Sequence, residues 1–185
     1  MKEIYLARHG RTMAPTGVMI GATDAPLSFE GLGEAEGLAK KLSGLALEII
    51  FTSPLARAKQ TAQIIAQSRN LTPIIVDEFR EINLGLFEGF TAGEAKVKYP
   101  RVWAQRGLDL LAVAPPGGES YGDLALRVLP AFEKVLSENS QAKNALLVAH
   151  RAVLQVILAS QRNLPLAEAP KIPIDYGELL TVERN

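Results

Sequence analysis

No cysteine occurs in the 185 residues, so disulfide bonds, thiolate catalysis and zinc–thiolate sites are excluded, and the composition suits a reducing compartment. A surplus of one charge is also missing, because twenty basic residues balance twenty acidic ones. No whole-protein field recruits nucleic acid or an anionic membrane, so any anion must be held by a local cluster. No apolar run approaches the length of a membrane span. The opening segment Met1–Leu6 meets the charged pair Arg8-His9 too soon for a signal-peptide core. A soluble cytoplasmic protein with neither a nucleic-acid nor a membrane partner is expected. Internal repeats, low-complexity tracts and an evident carboxylate cluster for a metal are absent too. Histidine is scarce, with two in the chain.

What is present fits one domain over 1–185: 48% hydrophobic and 22% charged residues are enough to bury a full core. Short apolar runs alternate with amphipathic stretches, the pattern of an α/β protein with a largely parallel sheet. Ile4–Ala7, Leu47–Phe51, Ile74–Val76, Ala145–Ala149 and Leu179–Val182 read as strands. Gly10–Ala25 is a long aperiodic loop. Ser28 caps a helix whose Leu32, Ala35, Leu38, Ala39 and Leu42 share a face, and Gly44 stops it. Ser53-Pro54 reads as an N-cap and first-turn pair for a helix ending near Asn70, with Ala58, Ala62, Ile65 and Ala66 inward. Glu81–Gly89 is a glycine-punctuated loop, and Thr91 with Glu94 forms a capping box. The segment 91–120, with Trp103, Leu108, Leu110 and Leu111 between prolines and glycines, reads as a lid or an edge of packed core. A helix from about Asp123 carries Leu124, Val128, Phe132 and Val135 on one face, with Pro130 as a kink or early break. Val153–Leu158 continues as helix.

Each histidine directly follows a predicted buried strand, in Leu6-Ala7-Arg8-His9-Gly10 and Leu147-Val148-Ala149-His150. In open parallel sheets ligands bind beyond the carboxyl ends of strands, so residues just past several strands converge although distant in sequence. Arg57 follows the second strand and Glu81 the third. Taken singly, each has a bland reading: Arg57 as a solvated helix residue, Glu81 as a surface carboxylate, His150 as a core histidine. Taken together they suit phosphoryl transfer, where positioning and charge neutralisation supply most of the catalysis. Arg8 and Arg57 can grip non-bridging oxygens in bidentate fashion. His9 can attack phosphorus as a neutral imidazole, Glu81 can protonate the leaving oxygen, and His150 can stabilise equatorial charge. No cofactor is required.

Five segments in order resemble the histidine phosphatase (phosphoglycerate mutase-like) superfamily: Leu6–Thr12, Asp24–Gly31, Thr52–Ala62, Glu81–Gly89 and Leu147–His150. The resemblance implies an α/β fold, a three-layer α/β/α sandwich with a mostly parallel sheet and one antiparallel strand. It implies a pocket of Arg8, His9, Arg57, Glu81 and His150 for a small-molecule phosphomonoester, joined by Thr12 and by a backbone N–H near Gly21. Three departures stand out: Arg11 replaces the frequent Glu or Gln, Pro15 the frequent Asn, and Arg151 the usual Gly. Arg11 is read as facing solvent; Arg151 either binds an anionic group or faces solvent. Phe90–Val148 is shorter than the insertion typical of mutases, and Ala114–Ser120 resembles a segment of phosphatase branches that include alpha-ribazole phosphatases. The expected activity is metal-independent phosphomonoester hydrolysis through a phosphohistidine, with alpha-ribazole 5'-phosphate as a substrate. Phosphoglycerate mutase and a non-catalytic phospholigand-binding module stand as alternatives.

Overall fold

The protein is described here by a computed structural model covering residues 3–183. Along the chain run β1 (Glu3–Arg8), α1 (Phe29–Lys41), β2 (Ile49–Thr52), α2 (Ala56–Gln67), β3 (Ile74–Ile75), α3 (Ala92–Lys98), α4 (Pro100–Leu108), α5 (Tyr121–Glu138), β4 (Asn144–Ala149), α6 (Arg151–Gln161) and β5 (Leu179–Glu183). The sheet order is β3-β2-β4-β1-β5. β1, β2, β3 and β4 pair in parallel, and β5 runs antiparallel to β1.

β1, β2 and β4 alternate across two buried faces, while both residues of β3, at the sheet edge, are exposed. Ile4, Leu6, Phe51 and Leu147 pack with α5 and α6 through Leu124, Val128, Phe132 and Val153. Tyr5, Ala7, Ile50, Leu146 and Val148 pack with α1 and α2 through Leu38, Leu42, Ala62 and Ile65. Burial on both faces explains why these strands read as continuous apolar runs. The result is the expected three-layer α/β/α sandwich.

Several local expectations shift. The inward stripe of α1 is Gly31, Ala35 and Leu38, while Leu32 is 40% exposed. Gly31 must lack a side chain because a Cβ there would sit 2.0 Å from the Arg11 carbonyl oxygen, and one at Gly10 would meet the Gly31 carbonyl oxygen at 2.3 Å. That close approach seats the loop after β1 on the start of α1. Ser28 caps α1 as expected, accepting from the Gly31 N–H at 3.1 Å. The helix ends at a right-handed cap on Leu42, and Gly44 does not take the left-handed conformation of a stop. α5 neither kinks to an end nor starts at Asp123. Ser120 and Asp123 form its capping box, and the helix passes through Pro130 for 18 residues. Proline removes the bond to the carbonyl of Leu126, a residue that is 77% exposed, so water can satisfy the orphaned oxygen.

Candidate active site

β4 lies between β2 and β1, and Arg8 pairs with Ala149 while Thr52 pairs with Val148. The residues one step beyond these pairs, His9, Ser53 and His150, are therefore neighbours by register alone. The imidazoles of His9 and His150 meet edge to face, with ring centroids 4.9 Å apart. Both are buried.

The hydrogen bonds fix the tautomers. His9 Nδ1 lies 2.7 Å from the Gly10 carbonyl oxygen; a carbonyl only accepts, so Nδ1 carries the proton and Nε2 keeps its lone pair. Arg57 Nε donates to His150 Nδ1 at 3.3 Å, so in the neutral ring the proton is on Nε2, which donates to Ser53 Oγ at 2.6 Å. Burial, and next the Arg57 cation, hold His9 well below the usual histidine range. His150 is held down by burial and then by its His9 and Arg57 neighbours. Both rings are neutral at pH 7.

Ser53 is thus not a helix cap. α2 begins at Ala56 behind the cap residue Leu55, and Asp24 reaches across to accept from the Ala56 N–H at 2.7 Å. The serine Oγ instead accepts from the Leu55 N–H at 3.3 Å and, more closely, from His150 Nε2.

Arg57, 1% exposed, donates through NH1 to Thr23 O at 2.8 Å and through NH2 to Gly21 O at 2.7 Å. Three of its five donors are engaged, none by a carboxylate among the described residues, so a buried cation keeps two donors and its full charge for an anion. Gly21 contributes its carbonyl to the arginine, a contact separate from the backbone N–H expected near it. Its φ of 45° is left-handed, and a Cβ there would lie 2.3 Å from Glu88 Oε1. Glu88 organises this loop: its carboxylate accepts from the N–H groups of Ala22 (2.8 Å), Thr23 (2.9 Å) and Leu84 (3.0 Å). Arg8 NH1 donates to Ile174 O at 2.7 Å, and its Nε is buried with no partner.

Glu81 accepts from the Ile82 N–H at 2.9 Å and, more weakly, from the Ala152 N–H at 3.4 Å at the start of α6. Burial raises its pKa above the usual carboxylate value, against the opposing pull of these hydrogen bonds and of Arg57 and Arg8. It borders a cavity of about 400 Å³ whose walls include Phe87, Trp103, Leu110 and Tyr121. Leu108, by contrast, is 91% exposed and Leu111 faces a different depression. Arg151 lines the cavity from an exposed position. So does Arg106, buried on α4 one turn after Trp103, with NH1 donating to Val113 O at 2.6 Å. Sequence reasoning overlooked Arg106; its helical spacing from Trp103 was the available signal.

Among the described residues Thr12 is joined to the histidines by no hydrogen bond. It bridges Leu27 and lines a separate depression with Arg11, Pro15 and Tyr176. Arg11 is paired with Glu34 at 2.9 Å and is largely exposed. Among the described residues no three His, Asp or Glu side chains cluster to hold a metal.

The family model "Histidine phosphatase superfamily (branch 1)" matches residues 4–185. A 2,3-bisphosphoglycerate-dependent phosphoglycerate mutase 2 of Gloeobacter violaceus is 31% identical over 181 residues, 95% of this chain and 83% of the mutase. A fructose-2,6-bisphosphatase of Saccharomyces cerevisiae is 31% identical over 185 residues, 98% of this chain but 39% of that longer protein. The crystal structure of an alpha-ribazole phosphatase from Shigella flexneri superposes with a TM-score of 0.92 at 26% identity, covering 99% of this chain and 91% of that one. Five ordered segments, the matching sheet topology and a family model spanning nearly the whole chain lead to one conclusion: this chain belongs to branch 1 of the histidine phosphatase superfamily.

Proposed function

We propose that the chain hydrolyses a phosphomonoester through a phosphohistidine on His9. The observation that carries this reading is the buried His9 imidazole with Nδ1–H tied to Gly10, leaving Nε2 as the attacking nitrogen, set against His150 and two arginines with unused donors. The Nε2 lone pair forms a bond to phosphorus as the ester P–O bond breaks. The electron pair leaves on the ester oxygen, which takes the proton of Glu81 and departs as the alcohol. In the second step water attacks phosphorus, Glu81 accepts its proton, the N–P bond breaks, and inorganic phosphate and neutral His9 are restored. Arg8, Arg57 and His150 hold the equatorial oxygens, whose charge is highest when the group is in transit. Metal, cofactor, nucleic acid and membrane play no part in this reading, and the reaction belongs in the cytoplasm.

The substrate we assign is alpha-ribazole 5'-phosphate. The cavity beside Glu81, walled by Phe87 and Trp103 with ring centroids 5.8 Å apart, suits a flat aromatic leaving group covered by the segment 91–120. The likeness to the Shigella flexneri enzyme supports the same choice. A second reading, phosphoglycerate mutase, is favoured by Arg106 and Arg151 in that cavity, which suit a leaving group with its own negative charge. Phosphate release from alpha-ribazole 5'-phosphate, 3-phosphoglycerate and p-nitrophenyl phosphate in excess chelator, with His9→Ala as control, separates them. We expect release from the ribazole ester with strong preference, none from His9→Ala, and a phosphoryl group on His9 in rapidly quenched wild type. Exchange of 2- and 3-phosphoglycerate with a bisphosphate primer would establish the mutase instead. Turnover by folded His9→Ala would overturn the nucleophile.

A further inference from the structure

We infer that Tyr176 is a positioning residue of the phosphate site, holding Arg8 by the face of its ring; the inference rests on the hydrolase reading above. Arg8 has no carboxylate partner among the described residues. Its guanidinium carbon lies 3.7 Å from the centroid of the Tyr176 ring, and its one side-chain hydrogen bond is NH1 to Ile174 O at 2.7 Å. Both contacts come from the short turn before β5, and that turn is fastened to the same strand end. The Arg8 N–H donates to Glu178 O at 3.1 Å and the Gly177 N–H to His9 O at 3.4 Å, with Gly177 at φ 63°. Tyr176 also touches His9, with ring centroids 5.7 Å apart.

An aromatic face suits this task for a chemical reason. A carboxylate would orient Arg8 but would neutralise it and occupy two donors. A ring face attracts the cation electrostatically and occupies none. Four of the five N–H donors of Arg8 stay available, including the buried Nε that has no partner. An arriving phosphate oxygen would satisfy that donor. Arg11 also lies near the ring, its guanidinium carbon 5.4 Å from the centroid, and Glu34 holds it in an ion pair. Nothing in the linear sequence links a tyrosine at 176 to an arginine at 8; antiparallel pairing of β5 with β1 does.

The test compares Tyr176→Leu and Tyr176→Phe in the full chain, reading KM and kcat for p-nitrophenyl phosphate and competitive inhibition by inorganic phosphate and orthovanadate. Tyr176→Leu should raise KM and both inhibition constants about 2- to 30-fold, the range a cation–π contact spans, with a smaller effect on kcat. Tyr176→Phe should restore affinity to within about twofold, because the ring face remains and no hydrogen bond engages the hydroxyl among the described residues. If Tyr176→Leu does not melt cooperatively, Tyr176→Met is read by the same criteria. Unchanged phosphate and vanadate affinity in a folded variant, or an equal loss in Tyr176→Phe, overturns the assignment while leaving the hydrolase reading intact. A wild type that neither hydrolyses an ester nor binds phosphate overturns both.

Discussion

Replacing Ser53 by alanine separates a helix cap from a histidine tether. In the structure Ser53 is fully buried, and its Oγ accepts from the Leu55 N–H at 3.3 Å and from His150 Nε2 at 2.6 Å. Alanine leaves that buried donor without an acceptor, at a cost of about 1–3 kcal/mol. In a domain of this size each kcal/mol moves the melting temperature by about 2–4 °C, so Tm should fall by about 2–12 °C. The second effect is on chemistry. His150 then keeps Arg57 as its side-chain hydrogen-bond partner among the described residues, and on the proposed mechanism the misplacement of a ring that holds the phosphate should lower kcat, by up to about 100-fold. A serine acting as an N-cap predicts something else: a loss of about 1 kcal/mol with kcat untouched. Calorimetry paired with steady-state phosphate release on one preparation reads both. A Ser53→Ala protein that melts lower yet keeps the wild-type kcat and KM would refute the tether.

The rate should hold as pH falls past the ordinary histidine value of 6.5, because burial and Arg57 keep His9 neutral there; the alkaline limb, set by Glu81 losing its proton, should lie above 4.5 and be lost in Glu81→Gln. Stability responds to the same shifts. The unfolded chain takes up protons on both histidines below pH 6.5 that the folded state refuses, so Tm should drop as pH falls from 7 to 5 and the drop should be shallower in His9→Ala. The raised Glu81 opposes this with one group against two, and a Tm that rises toward pH 5 would contradict the assignment. Glu88→Ala should free the loop that positions Arg57 and weaken inhibition by inorganic phosphate about tenfold, the equivalent of one charge-assisted hydrogen bond; unchanged inhibition would show that Gly21 and Thr23 hold Arg57 without it.

The parts of the fold legible in the sequence are those decided within a few residues. The capping box of Thr91 and Glu94 and the Ser28 cap need only their own turn. The buried strands announce themselves as apolar runs, and the two histidines directly follow two of them. Pro130 misled because the tolerance of a proline depends on which face of the helix loses the bond, and the tertiary packing sets that face. Ser53 misled because a serine before a proline fits a local rule, while its shorter hydrogen bond comes from His150, 97 positions away.

By itself, then, the sequence determined an α/β protein with a largely parallel sheet, the strand ends on which His9 and His150 stand, and the family resemblance. Periodicity and ordered motifs encode these locally. Only the tertiary structure decided the working state of the site. The strand order put His150 between His9 and Ser53, carbonyl and guanidinium partners chose the ring tautomers, and the Gly21 carbonyl was turned to Arg57. The same packing brought Arg106 into the cavity and Tyr176 under Arg8. Those outcomes depend on contacts between residues far apart in the chain, and such contacts exist only once the sheet has set its register.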